Sequence, residues 1–270
     1  MLIDTHAHLA SQQLCDDLPA VIKRANAAGV TRIISIGTDL EDSQQNIKIA
    51  EQFDQVYATV GIHPTSVHEI TQDDWLQQIR TWLEHPKVLA IGEIGLDYFH
   101  PPRDGSSPAT WRELQKKFFI AQLDLAAELQ LPVVIHQRDK NGESECRDDL
   151  LKIISDYQGR VQAVFHCFIG SLQQAQPFLD QGHLVSFTGI ATFSSAKELQ
   201  SCTAQIPQGQ FMVETDAPYL SPNPFRGKRC EPAYTRHTAE HIATARGISL
   251  EQLASFTSQT AEKFFALSEI

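Results

Sequence analysis

Nothing in these 270 residues approaches the ~20 consecutive apolar residues of a membrane-spanning helix. The first residues also lack the basic-then-apolar run of a secretory signal. We therefore expect a soluble, cytoplasmic protein with no membrane partner. Cysteine is scarce and scattered: Cys15, Cys146, Cys167, Cys202 and Cys230 form no C-x-x-C pair. An odd, dispersed set excludes a disulfide framework and a thiolate metal site, and fits a reducing compartment. Cys167 lies in "FHCFIG", where a nucleophilic thiol and a small buried apolar residue are both open readings. Positive charge is in deficit too: 22 Lys and Arg against 33 Asp and Glu leave a formal net charge of −11. That argues against broad binding of a polyanion and leaves room for a local basic patch or a metal-centred site. No G-x-G-x-x-G follows the first apolar run and no P-loop occurs, so a nucleotide-binding open sheet is disfavoured. Repeats, low-complexity tracts and linkers are missing as well, so one domain over residues 1–270 is expected.

What the chain does contain is a regular alternation. Eight short β-rich runs occur: "LIDTH", "RIISIGT", "YATVGIH", "VLAIGEIGLD", "PVVIHQR", "QAVFHCF", "LVSFTGI" and "FMVETDA". They are continuous apolar runs, as parallel strands buried on both faces require. Amphipathic helical stretches separate them, and two more follow the last run. Several carry their own punctuation: Ser171 as an N-cap, and Gly29, Gly182 and Gly247 where helices stop. Eight β-then-α units in series predict an α/β fold, a (β/α)8 TIM barrel.

The chemistry-bearing residues fall at the strand ends. His6 and His8 end the first run, and Asp4, His6 and His8 share a face if that run is extended. His63 ends the third, Glu93 lies in the fourth, and His136 and His166 end the fifth and sixth. Glu214 and Asp216 end the eighth, again two apart. In a barrel all of these open onto the C-terminal mouth, where active sites of this architecture sit. Imidazole and carboxylate without thiolate suit Zn, Mn or Mg. The surplus of ligands over one ion's need points to two or three divalent ions, with a carboxylate such as Glu93 bridging. The other histidines carry less: His68, His85, His100 and His183 read as surface residues, and His237 with His241 as one polar helix face.

Taken in order, "DTHAHL", "VGIHP", "IGEIGLDY", "PVVIHQRD", "FHCFIGS" and "VETDAPYL" followed by "CEPAY" resemble the successive motifs of the TatD family of metal-dependent deoxyribonucleases. The resemblance covers essentially the whole chain. It implies a barrel hydrolase of DNA phosphodiester bonds. It also implies that His6 and His8 hold one metal with Glu93 and Asp216, while Glu93, His136 and His166 hold a second. By the same resemblance His63 lies near the scissile phosphate, Glu214 touches a further ion or orients a ligand, and Asp216 orients or deprotonates the attacking water. One departure stands out: "KNGESEC" follows "HQRD" and lengthens a mouth loop through an Asn141-Gly142 turn.

The substrate rim is expected in "PFRGKRC", where Arg226, Lys228 and Arg229 can hold flanking phosphates. Arg138 and Arg103 are weaker candidates of the same kind. Tyr98, Phe99, Tyr219 and Phe225 can stack on unpaired bases. A small cationic rim on an acidic protein favours single strands or ends, and an exonuclease acting on DNA and by extension RNA. The rival reading keeps the same ions but hydrolyses an amide, lactone or ester, an aminoacyl-tRNA ester among them. A binding protein that keeps the metals without turnover is a third.

Overall fold

A computed structural model describes residues 1–102 and 104–267. Its elements run β1 (Leu2–Ala7), α1 (Gln12–Cys15), α2 (Leu18–Ala27), β2 (Val30–Ser35), α3 (Leu40–Gln52), β3 (Val56–Val60), α4 (Trp75–Trp82) and β4 (Val88–Asp97). Then follow α5 (Pro108–Leu129), β5 (Val133–Arg138), α6 (Glu145–Ser155), β6 (Ala163–Phe165), α7 (Leu172–Leu179), β7 (Leu184–Phe187), α8 (Lys197–Gln205), β8 (Phe211–Val213), α9 (Thr235–Arg246) and α10 (Leu250–Phe264). The strands pair in parallel in chain order, β1 through β8, making a (β/α)8 barrel. The short α1 is the one helix without a counterpart among the expected elements. The helix stops act as read: Ser171 forms a capping box with Gln174, and Gly247 takes the left-handed conformation that ends α9.

Two apolar layers share each strand. One face packs on the helices. The other fills the barrel with Ile3, Ile34, Ala90, Val134, Val164, Leu184 and Met212, and Phe264 and Phe265 at the end of α10 pack against this same group. Two residues further along the same strand face, Val134 is succeeded by His136, Val164 by His166 and Met212 by Glu214. The apolar interior is therefore the floor on which the polar layer stands. In β4 the ladder slips between Ile91 and Ile94, so Glu93 sits at an irregularity that re-aims its side chain.

β6 and β8 are only three residues long, so His166, Glu214 and Asp216 lie beyond the strand ends. The two-residue periodicity expected of Glu214 and Asp216 fails there. Asp216 turns into a left-handed backbone (φ 60°), which a short polar side chain tolerates, and the two carboxylates face different partners. Asp4 also departs from expectation. Rather than joining His6 and His8, its buried carboxylate accepts the Thr215 N–H (2.9 Å) and hydroxyl (2.6 Å).

That contact belongs to the seam where the barrel closes. The Asp216 N–H donates to the His6 carbonyl at 2.8 Å, and the His8 N–H to the Ala217 carbonyl at 2.7 Å. β8 is too short to make a full ladder with β1, so Asp4 substitutes side-chain bonds for missing strand pairing. Asp4→Ala orphans two buried donors, a cost of about 3 kcal/mol. The apparent thermal midpoint should fall by about 6–12 °C in a differential scan, with Asp4→Asn losing less. An unchanged midpoint in Asp4→Ala would remove the clamp from the account of the seam.

Candidate metal centre

Glu93 is 3% exposed and divides its two oxygens. Oε2 faces His6 Nε2 at 3.5 Å and His8 Nε2 at 3.8 Å. Oε1 faces His136 Nδ1 and His166 Nε2, each at 2.8 Å. Asp216 Oδ1 completes the first group, 3.3 Å from His8 and 3.7 Å from His6. Every residue the sequence nominated as a ligand thus converges on one carboxylate.

The protons decide whether these groups fit metal ions. His136 donates Nε2–H to the Asp97 carboxylate at 3.0 Å, which leaves Nδ1 as a lone pair pointed at Glu93. A lone pair facing a carboxylate at 2.8 Å repels it unless a proton or a cation lies between. His166 Nε2 aims at the same oxygen, and His6 Nε2 and His8 Nε2 face each other at 3.3 Å. Such an array of converging acceptors fits divalent cations in both groups. Without them, protons take their place. Burial opposes charge on His8, but Asp216 beside it and Glu93 behind it outweigh burial and lift the ring to about 9. Burial likewise opposes charge on His166, and Glu93 overrides it. Burial disfavours the Glu93 anion, yet the surrounding His166 and His63 hold it well below the usual carboxylate range.

His63 behaves differently from His8 and His166. Its Nδ1 accepts the Thr65 N–H at 3.1 Å, so the proton of the neutral ring must sit on Nε2, 3.5 Å from Glu93 Oε1. Burial, and then the neighbouring His136, push the ring down to about 4, so it is neutral at pH 7. Although its Nε2 lies close enough to join the second group, a nitrogen that carries the proton is a donor and not a ligand.

Glu214 sits behind one of the candidate ligands. It is 1% exposed, accepts the Cys167 N–H at 2.7 Å and the Thr5 hydroxyl at 3.4 Å, and lies 3.6 Å from His166 Nδ1. Of the two roles the resemblance implied, these contacts suit the orienting of a ligand, His166. Cys167 beside it is no nucleophile: burial, with Asp216 and Glu214 nearby, drives its thiol well above the usual value.

Asp97 escaped the sequence reading. It is fully buried, and its Oδ1 accepts the backbone N–H groups of Phe99 (2.9 Å) and His100 (2.8 Å). Its Oδ2 meets both His136 and the His100 Nδ1 (2.8 Å). The signal was present: Asp97 lies four residues beyond Glu93 in the same strand. Gly95 between them has φ 135°, and a Cβ there would collide with the His136 carbonyl.

The rim differs from expectation at several points. Arg229 is held on the Asp17 carboxylate through both terminal nitrogens (2.7 and 3.1 Å) and is not free for phosphate. Arg226 lies over the Phe193 ring and Lys228 near Phe225, both without a carboxylate partner among the described residues. Arg103 lies outside the described residues. Tyr98 is buried and donates to Asp149, and Phe225 is stacked on Tyr234, so neither is available to a base. Phe99 and Tyr219 remain exposed, and Tyr219 stands edge-on to His8. His183 is buried rather than superficial. Gly142 takes φ 81° in the expected turn of the lengthened loop.

A carboxylate shared by two histidine groups at the mouth of a (β/α)8 barrel defines the class of metal-dependent hydrolases. The chain belongs to the TatD family: the model for TatD related DNases matches residues 3–266. It is 37% identical to the uncharacterized metal-dependent hydrolase YabD of Bacillus subtilis, across 99% of this chain and all of that one. It is 35% identical to the 3'-5' ssDNA/RNA exonuclease TatD of Salmonella typhimurium, across 98% of both. The crystal structure of YJJV, a TatD homolog from Escherichia coli, superposes with a TM-score of 0.88 at 30% identity, covering 99% of this chain and 98% of that one.

Two outcomes follow for metal loading. The folded-state value of His8 lies above the ordinary 6.5, so its protonation stabilises the metal-free fold fully below about 6.5 and is lost as pH rises through about 9. An incoming ion must displace that proton, so affinity should rise between pH 6 and 9 with net proton release. Calorimetry in buffers of different ionisation enthalpy reads this directly, and zero release would contradict the proton array. Asp97→Asn leaves His136 without its anionic partner and should weaken occupancy of the second group ~10–100-fold, measured by chelator competition.

Proposed function

We propose that this hydrolase is a divalent-metal-dependent deoxyribonuclease, removing nucleotides from single-stranded DNA or DNA ends, with two ions drawn from Mg, Mn or Zn. The observation that carries this is the division of Glu93 between two histidine groups, with the neutral Nε2–H of His63 beside it. Bound there, the ions would supply concentrated positive charge for a phosphodiester and acidify water. His6, His8, Glu93 and Asp216 hold one, and Glu93, His136 and His166 the other. His63 donates Nε2–H to a phosphoryl oxygen. It adds no net charge, so it does not compete with the ions. Asp216 is ionised, because burial is outweighed by the hydrogen bond from His8 and the charge of His6, and it takes the proton from the attacking water. The name of the Salmonella relative supports single-stranded substrates, RNA included.

Phe99 and Tyr219 favour unpaired bases over a small neutral ester. They stand in the loops after β4 and β8, which face each other across an eight-stranded barrel. Metal-stripped protein reloaded with Mg, Mn or Zn should ladder end-labelled single-stranded DNA from one end. Asp216→Ala should lose at least ~1,000-fold in rate, the scale of removing one essential proton acceptor. Hydrolysis of a small carboxylic ester, with no cleavage of DNA under any metal, would replace this reading with the ester-hydrolase one.

A further inference from the structure

Arg138 carries no carboxylate partner among the described residues, in a protein whose acids outnumber its bases. It is exposed at the end of β5, two residues beyond His136 and on the same strand face. Its guanidinium lies 4.2 Å from the centroid of the exposed Phe99 ring. Phe99 and His100 are not free to drift, because Asp97 Oδ1 holds both of their backbone N–H groups. His100 gives Nδ1–H to Asp97 Oδ2, the oxygen that also holds His136. Its ring is 40% exposed, and the bond to Asp97 leaves Nε2 for the mouth. A ligand of the metal centre and a rim loop are therefore fixed to one buried carboxylate, and a stacked cation sits above them.

Resting on the nuclease reading above, we infer that Arg138, Phe99 and His100 form a subsite for the nucleotide next to the scissile bond. Arg138 receives its phosphodiester and the guanidinium–ring stack receives its base. Guanidinium suits both contacts, being planar, weakly hydrated and able to bind phosphate in bidentate fashion while stacked on an aromatic face. His136, beside Glu93, is joined to His100 by two hydrogen-bond steps through Asp97, which sets the subsite beside, and not at, the reacting phosphate. Arg229, one of the three cations the sequence favoured with Arg226 and Lys228, is excluded because Asp17 already occupies its fork.

The test separates binding from cleavage. Fluorescein-labelled oligothymidylate is titrated with the full chain after chelation, and anisotropy is read as a function of salt. Arg138→Gln should weaken binding about tenfold and reduce the log–log salt slope by about 0.7, the value for one lost phosphate contact on a single strand. Arg138→Lys should fall between, keeping charge but losing the flat stack. Arg229→Gln, with the same charge change, should stay within about twofold of wild type. If Arg138→Gln matches Arg229→Gln, the subsite is overturned whatever the cleavage assays show. If Arg138→Gln weakens binding but the metal-loaded wild type cleaves no strand, the nucleotide contact at Arg138 stands, while the nuclease reading and the subsite's place beside a scissile bond fall.

Discussion

A carboxylate almost removed from water cannot stay ionised without positive charge close by. Glu93 is in that position, and the mouth of the barrel is built around its needs. Three strands or their ends bring His6 and His8, His136 and His166 to its two oxygens, and Asp216, beyond a fourth, closes the open side of one group. Some of the surrounding rings are held from behind in turn. Asp97 fixes the tautomer of His136, Glu214 holds the turn that carries His166, and the Thr65 amide decides which nitrogen of His63 bears its proton. The gaps between the converging acceptors suit small, doubly charged cations.

The ligands other than Glu93 were readable because they stand near or just beyond strand ends, and strand ends of a parallel barrel share one opening; Glu93 lies within β4, four residues before its end. Apolar residues at i and polar ones at i+2, as in Val134 and His136, mark the boundary between barrel floor and active layer. The supporting residues were harder to see, since their meaning lies in partners remote in the chain. Asp97 acquires its role from His136, 39 residues away, and Arg229 loses its expected one to Asp17, 212 residues away. Neither pairing leaves a local pattern. The shared face of Glu214 and Asp216 failed for another reason: β8 ends at Val213, so the alternation that pairs them no longer applies. His100 passed as a surface imidazole, because nothing in "DYFHPP" reveals that two amides and a ring wrap around the aspartate at its head.

In a molecule with a net charge of −11, where the cations stand matters more than how many there are. Several are held by carboxylates on the outer helices, such as Arg80 by Glu128 and Arg236 by Glu240. Arg138, Arg226 and Lys228 instead lie beside aromatic rings, where a cation is oriented without being neutralised. Near the mouth, local charge prevails over net charge within a Debye length of about 8 Å.

The seam between β1 and β8 has a consequence for the life of the chain on the ribosome. Asp4 and Thr215, which fasten it, are 211 residues apart. The first histidine group needs Asp216 from the far side of that seam, whereas Glu93, His136 and His166 emerge well before it. A nascent chain can therefore assemble half of the centre early but cannot complete it until β8 docks against β1. Such a long-range pairing forms late, because its loop-closure entropy must be met before the contact stabilises anything. Hydrolytic competence is thus withheld until synthesis has passed the last strand, so a half-made enzyme cannot act while it is still being translated.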